Sequence, residues 1–125
     1  MLGDSDVAAT IPTKDIGKAA KFYEETLGLK KGKDETGGIV FKSGNSTLFL
    51  YETQFAGTNK ATSAGWVTDD VEGVAKDLKS KGVKLEQYHL PGVKREGDIH
   101  IMGDLKAIWF KDPDGNILSV STSMA

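Results

Sequence analysis

The chain has 125 residues, of which 38% are hydrophobic and 27% charged, as expected for one soluble globular domain. Its 16 basic and 18 acidic residues leave a net charge of -2, and no basic stripe is present, which argues against binding to nucleic acid or a membrane surface. The absence of cysteine excludes disulfides, zinc–thiolate sites and thiol nucleophiles. No apolar run has the length of a membrane span and no secretory signal is visible, so we expect a cytoplasmic protein.

The first half of the sequence predicts one strand, one helix and three further strands. Asp15 is a suitable N-cap for the helix, and Gly28 can take the left-handed conformation that ends it. Between these two residues the apolar side chains recur with helical spacing. The predicted elements are a strand at 7–13, a helix from 15 to 27, and strands at 30–34, 38–43 and 46–52.

The second half repeats this order after a polar connector. Asp69 or Asp70 caps the second helix and Gly82 ends it. A long stretch rich in glycine interrupts the later strands, and we interpret it as an insertion that could act as a lid. The predicted elements are strands at 64–68, 84–90, 106–111 and 117–123, with the insertion at 91–105. A repeat of this length predicts one domain, 1–125, built of two copies of a supersecondary unit at about 7–57 and 64–123, with a groove between them.

Three motifs, in order and at the right spacing, carry a family resemblance. They are FYEETLGL at 22–29, DDV at 69–71 and WFKDPDGN at 109–116. With them the chain resembles the vicinal oxygen chelate superfamily, which includes glyoxalase I, the bleomycin- and fosfomycin-resistance proteins and the extradiol dioxygenases. The resemblance implies an α+β fold of two βαβββ units, whose strands form a curled mixed sheet with a concave funnel. It also implies a homodimer.

The resemblance further implies a divalent metal at the base of the funnel, held by His, Glu or Gln from the first and fourth strands of each unit. The matching positions in this chain are Ala8, Phe49 or Leu50, Ser63 and Ser119. None of these side chains is an imidazole or a carboxylate, and a catalytic metal typically has about three protein ligands. Glu52 and His100 are the weak candidates that remain. We therefore predict no metal or other cofactor, and whether the chain is an enzyme stays open.

The residues that could contact a ligand follow from the same alignment with the family. Trp109 matches a position that faces the pocket in the fosfomycin-resistance branch, and an indole stacks on planar molecules. Lys94 and Arg95, in the long stretch, could bind an anionic substituent. The candidate ligand-binding residues are Trp109, Phe49, Leu50, Ser63, Ser119 and Arg95.

These observations favour a metal-free protein that binds a small aromatic or apolar molecule in the funnel. The alternative is a metal-dependent lyase, isomerase or dioxygenase with displaced ligands. An accessory module that binds a partner segment and a metal-free enzyme with a Tyr or Asp base are two further readings of the same residues.

Overall fold

A computed structural model describes residues 1–35 and 37–123 of the chain. Its residues group into two compact units. The first contains Met1–Thr58 together with Pro113–Asn116, and the second contains Asn59–Asp112 and the segment from Ile117 onward. Neither helix in the described part of the chain combines the length and the apolar character needed to cross a bilayer.

The first unit is a four-stranded mixed sheet with one helical segment against it. In chain order its elements are a short 3₁₀ turn at Leu2–Asp4, β1 at Ala9–Thr13, α1 at Ile16–Lys21, a π-helical turn at Phe22–Thr26, β2 at Lys30–Glu35, β3 at Gly38–Ser43 and β4 at Ser46–Glu52. The strand order is β1-β4-β3-β2, in which β1 and β4 run parallel and the other pairs antiparallel.

The first helical segment begins as the sequence predicts and then changes its winding. The Asp15 carboxylate accepts the backbone N–H of Lys18 at 3.1 Å, which caps α1. From Phe22 the chain widens into the π-helical turn, where the N–H of Leu27 bonds to the carbonyl of Phe22 at 3.0 Å. Tyr23 in this turn is fully buried, and its ring lies 6.3 Å from that of Phe41 in the sheet. The helical segment therefore packs on the face of the sheet that carries Phe41.

The second unit is a five-stranded mixed sheet with a longer helix. Its elements are β5 at Thr62–Val67, α2 at Val71–Ser80, β6 at Lys94–Glu96, β7 at Ile99–Met102, β8 at Leu105–Lys111 and β9 at Ile117–Ser121. The order is β5-β9-β8-β7-β6, with β5 and β9 parallel. Asp70 caps α2 by accepting the N–H of Gly73 at 2.9 Å, so both helices begin at the aspartates that the sequence marks.

Two predictions for the second half are wrong. Residues 84–90 do not form a strand, because they pair with the sheet only through an isolated bridge between Leu85 and Phe110. The stretch predicted as a lid instead contains β6 and β7. Two-residue Gly-Asp turns join these strands to each other and to β8, and Gly97 and Gly103 take the positive φ angles of 63° and 61° that such hairpin turns require.

The Asp-Pro-Asp-Gly-Asn turn after β8 does more than reverse the chain. Its last four residues, Pro113–Asn116, group with the first unit, where Asp114 accepts the N–H of Lys14 at 2.8 Å. Asn116, 1% exposed, donates to the carbonyl of Pro12 at 2.8 Å and accepts the N–H of Gly57 at 3.4 Å. Gly57 has a φ of 75° and a Cβ there would overlap the carbonyl of Asp114, so this contact depends on glycine.

Candidate functional site

In the first unit, the sheet face opposite the helical segment carries two aromatic rings. Phe49 and Tyr51 alternate with the core residues of β4, and their rings are stacked with centroids 6.2 Å apart and 8° between planes. Gly38 lies opposite Tyr51, and a side chain there would overlap the Phe49 ring. We call the face that carries no helix the helix-free face of each unit, and in the first unit Phe49 belongs to it.

Leu50 points the other way. It lies opposite Ile11 and Ile39, is fully buried, and shares the face against which Tyr23 packs. Since neighbouring residues of a strand project to opposite faces, the register that places Phe49 on the helix-free face places Leu50 in the core. Leu50 is therefore corrected from a candidate ligand contact to a core residue.

In the second unit, β8 separates core and helix-free side chains in the same way. Lys106 forms an ion pair with Glu72 of α2 at 2.8 Å, which identifies the face that α2 covers. Phe110 shares that face and is 1% exposed. Trp109 projects from the opposite, helix-free face, where it is half-buried opposite Ser119. Its indole N–H donates to the hydroxyl of Thr62 at 3.2 Å.

Three rings meet on this helix-free face, and we call them the aromatic cluster: Tyr88, His100 and Trp109. The imidazole of His100 stands perpendicular to the indole at 4.8 Å between centroids, and Tyr88 lies 5.6 Å from the indole. Burial raises the pKa of the Tyr88 phenol, with a smaller contribution from the charge of Glu86, so the hydroxyl stays protonated at neutral pH. The cluster offers planar apolar surface with polar edges.

His100, a weak metal-ligand candidate within the predicted lid, is a strand residue. It lies in β7, is fully buried, and its Nε2 accepts the backbone N–H of Tyr88 at 2.9 Å. A neutral imidazole carries one proton, so the proton is on Nδ1. Nδ1 has no hydrogen-bond partner among the described residues.

The remaining candidate residues of the second unit differ in how directly they face the aromatic cluster. Ser119 is buried directly opposite Trp109, and Arg95 is exposed on β6 directly opposite His100. Ser63 lies in an irregularity of β5, where the register shifts between Thr62 and Ala64. The hydroxyl that reaches Trp109 is therefore that of Thr62, a residue that the sequence analysis missed.

Tyr88 is a further residue of this site that the sequence analysis does not identify, because its segment is predicted to be a strand. It borders a hollow of about 450 Å³ in the second unit. The hollow is lined by Tyr88, His89, Leu90, Pro91, Val93 and Arg95. The N–H of Glu86 bonds to the carbonyl of Trp109 at 2.8 Å, which holds the start of this segment against β8.

A cross-link of polar side chains fixes the segment from the other side. Asp98, in the turn between β6 and β7, accepts from Gln87 and from Lys79 of α2, each at 2.9 Å. The hydrogen bond from Gln87, followed by that from Lys79, lowers the pKa of the Asp98 carboxyl below its usual range. This cross-link ties the segment before Tyr88 to both the helix and the hairpin.

The residues do not fit the divalent metal that the family resemblance implies. In the first unit the helix-free positions of β1 and β4 are held by Thr10, Phe49 and Tyr51, and in the second Ser119 is the central one of β9. Nowhere in residues 1–35 and 37–123 do three His, Asp or Glu side chains come together as metal ligands. The Nε2 lone pair of His100 is already used by Tyr88, and Glu52 is exposed at the end of β4.

Solved structures with the same fold include proteins of different kinds. An integron cassette protein from the mobile metagenome of Halifax Harbour Sewage Outfall is 20% identical, with a TM-score of 0.71, covering 96% of this chain and 99% of the other. Lactoylglutathione lyase from Agrobacterium tumefaciens is 20% identical, with a TM-score of 0.69 and coverage of 94% and 92%. TnmS3, an antibiotic binding protein from Streptomyces sp. CB03234, is 22% identical, with a TM-score of 0.67 and coverage of 94% and 95%.

These likenesses confirm the predicted α+β fold of the glyoxalase and bleomycin-resistance type. They do not distinguish a binder from an enzyme, because one neighbour is a lyase and another binds an antibiotic. A family model matches residues 7–120, nearly the whole chain. The chain belongs to the Glyoxalase/Bleomycin resistance protein/Dioxygenase superfamily.

Proposed function

We propose that this chain binds a small planar aromatic or apolar molecule, without a metal, on the helix-free face of its second unit. The observation that carries the proposal is the aromatic cluster, in which the half-buried rings of Tyr88 and Trp109 pack 5.6 Å apart and Tyr88 borders a hollow of about 450 Å³. Ligand sites of proteins are concave and mostly apolar, with a few polar groups that fix orientation. The antibiotic-binding neighbour TnmS3 supports a binding role for this fold.

The chemistry of the site agrees with binding rather than with a metal-assisted reaction. The polar groups at the cluster are the hydroxyls of Thr62 and Ser119 and the imidazole of His100, none of which belongs to a metal-binding group in the described residues. A rigid aromatic surface gives contact area at little cost in side-chain entropy. No arrangement of the described side chains favours the alternative lyase, isomerase or dioxygenase.

The proposal can be tested by a panel of planar natural products, measured in the presence of a chelator. A ligand that binds only the folded chain raises the melting temperature, and the stabilisation grows with the logarithm of its concentration over Kd. The intrinsic fluorescence shows where the ligand binds, since Trp66 and Trp109 are the two tryptophans of the chain. We expect Trp109→Phe to remove the ligand-dependent fluorescence change and Trp66→Phe, on the face shared with Val120, to retain it.

Three outcomes would contradict the proposal. The first is the absence of any thermal shift across the panel. The second is binding that appears only after a divalent metal is added back. The third is a fluorescence change that follows Trp66 instead of Trp109.

The homodimer implied by the family resemblance is a separate proposal. Multi-angle light scattering should then give about twice the chain mass of 13.4 kDa. A mass equal to that of one chain over a wide range of concentration would contradict it.

A further inference from the structure

Arg95 is placed beside the aromatic cluster by the pairing of β6 with β7. It lies directly opposite His100, so the two side chains project from the same face of the sheet. Among the described residues, no carboxylate oxygen lies within ion-pair distance of Arg95. The charge of Arg95 contributes to lowering the pKa of Asp98, but both oxygens of that carboxylate already accept hydrogen bonds, from Gln87 and Lys79. The guanidinium is left with its donors available at the edge of the hollow.

The surroundings of Arg95 give this face a positive character. The strand residues of the second unit that share the face in register with Trp109 and His100 are all described, and they include no Asp or Glu. Lys111 is the other cation on the face, and it pairs with Glu86 at 3.7 Å. The lining of the hollow contains no carboxylate either. An anion bound here meets the uncompensated positive charge of Arg95. The carboxylate that acts on the cluster is that of Glu86, and Lys111 pairs with it.

An independent observation points to a missing acceptor at the same place. Because Nε2 of His100 accepts from Tyr88, the imidazole presents Nδ1–H as a donor, and this buried group has no partner among the described residues. Buried donors are almost always paired, and an unpaired one is unfavourable. Because His100 is fully buried, an acceptor oxygen bound at the neighbouring Arg95 would satisfy this donor once the side chains that cover the imidazole move aside.

We propose that the ligand is a planar aromatic carboxylate. Its ring lies against Tyr88 and Trp109, and its carboxylate binds the guanidinium of Arg95 within reach of Nδ1–H of His100. A carboxylate matches the fork of the guanidinium with two charge-assisted hydrogen bonds, which are stronger than neutral ones. This inference rests on the proposed binding function and specifies the chemical class of its ligand.

The test compares aromatic carboxylates with carboxamides of the same shape. Benzoate, 2-naphthoate and anthracene-9-carboxylate are titrated against benzamide, 2-naphthamide and anthracene-9-carboxamide, with Trp109 fluorescence and calorimetry as readouts. We expect each carboxylate that binds to do so about tenfold or more tightly than its amide, the scale of one charge-assisted contact. Equal affinity of the two series would overturn the inference and leave the binding function intact. Failure of both series and of the natural-product panel would contradict the binding function itself.

The variants separate Arg95 from general charge. Lys94 is the matched control, since it neighbours Arg95 on β6 and projects from the opposite face. We expect Arg95→Gln to lower carboxylate affinity about tenfold, to the level of the amides, and Lys94→Gln to leave it unchanged. Equal losses in both variants would show a diffuse charge effect and overturn the assignment to Arg95.

Nitrogen NMR tests the part of His100. The chain has two histidines, and because His89 itself lines the hollow, the amide analogue serves as the reference. We expect 2-naphthoate to shift the Nδ1–H resonance of His100 more than 2-naphthamide does. A His100 resonance that stays unchanged at saturation would contradict its role as a donor to the ligand.

Discussion

The first unit turns Phe49 and Tyr51 to its helix-free face, whereas the second turns Trp109, His100 and Arg95 to its own. The first pair is a simple stack of rings 6.2 Å apart. In the second unit the rings of His100 and Trp109 stand at 90° to each other. His100 accepts a backbone N–H, Trp109 donates to a hydroxyl, and Arg95 lies beside them. Two sheets built on the same plan thus present different faces. The first unit carries a plain ring stack, with Lys30, Lys42 and Glu35 on the same face. The second carries a hydrogen-bonded aromatic cluster with Arg95 beside it.

The difference comes from one segment that the first unit lacks. After α2 the chain runs along β8 through the Glu86–Trp109 bond and places Tyr88 against His100 before it enters the β6–β7 hairpin. In the first unit the helical segment leads directly into β2 through Gly28. The extra residues before the hairpin supply both the second ring of the cluster and the walls of the hollow. The proposed binding site therefore depends on the inserted segment more than on the repeated frame.

The largest expected difference is between alanine substitutions of Phe110 and Trp109, which project from opposite faces of β8. Phe110 is 1% exposed on the face that α2 covers, so Phe110→Ala should lower the free energy of unfolding by about 3–5 kcal/mol. Trp109 is half-buried, and Trp109→Ala should cost less than about 2 kcal/mol while abolishing ligand binding. Urea unfolding and ligand titration measure the two effects.

Phe110→Leu keeps this test usable if the alanine variant does not fold. This variant should lose less unfolding free energy than Phe110→Ala and should bind the ligand with unchanged affinity. A Trp109 variant as unstable as Phe110→Ala, or one that binds ligand normally, would contradict the assignment of the two faces.

The corresponding alanine substitutions in the first unit should differ less in their unfolding free energies. Leu50 is fully buried, so Leu50→Ala should cost about 2–5 kcal/mol in unfolding free energy. Phe49→Ala removes a partly exposed ring and should cost less than about 2 kcal/mol. If Phe49→Ala proves the more damaging in urea unfolding, the register that separates these two residues is wrong.

Local signals were enough to predict the frame of the molecule. Asp15 and Asp70 each cap the helix that the sequence assigns to them, because an aspartate before an amphipathic run has a definite hydrogen-bonding role. The Gly-Asp pairs at 97–98 and 103–104 are also hairpin signals, and they indicate β6 and β7. The length of the stretch and its lack of periodicity favour a lid instead, and that prediction is wrong.

The candidate site depended on contacts that no local pattern encodes. The choice between Phe49 and Leu50 needed the register of β4, since a shift of one residue exchanges the two faces. The irregularity in β5 puts Thr62, instead of Ser63, within reach of Trp109. His100 became a buried residue because an irregular segment brings the N–H of Tyr88 to it across 12 positions of sequence. Such contacts are properties of the tertiary structure alone.

The smallest expected effect concerns the cross-link that holds the inserted segment. Hydrogen bonds from Gln87 and then Lys79 lower the pKa of Asp98 in the folded chain, so near its ordinary value of about 3.9 the unfolded state binds more protons. The stabilisation is therefore complete above that pH and is lost as the pH falls through the lower, folded pKa. We expect Asp98→Asn to reduce the unfolding free energy by up to about 1 kcal/mol at pH 7.

The difference between wild type and Asp98→Asn should then shrink as the pH is lowered from 6 towards 3, measured by urea unfolding at each pH. Asp104→Asn is the matched control, because Asp104 occupies the same place in the next Gly-Asp turn but makes no hydrogen bond or ion pair with a described residue. Removing its charge should leave the pH dependence as it is in wild type. If the two variants behave alike, the acid sensitivity comes from net charge, and the tie between Asp98 and the segment that carries Tyr88 contributes nothing to the difference between the two units.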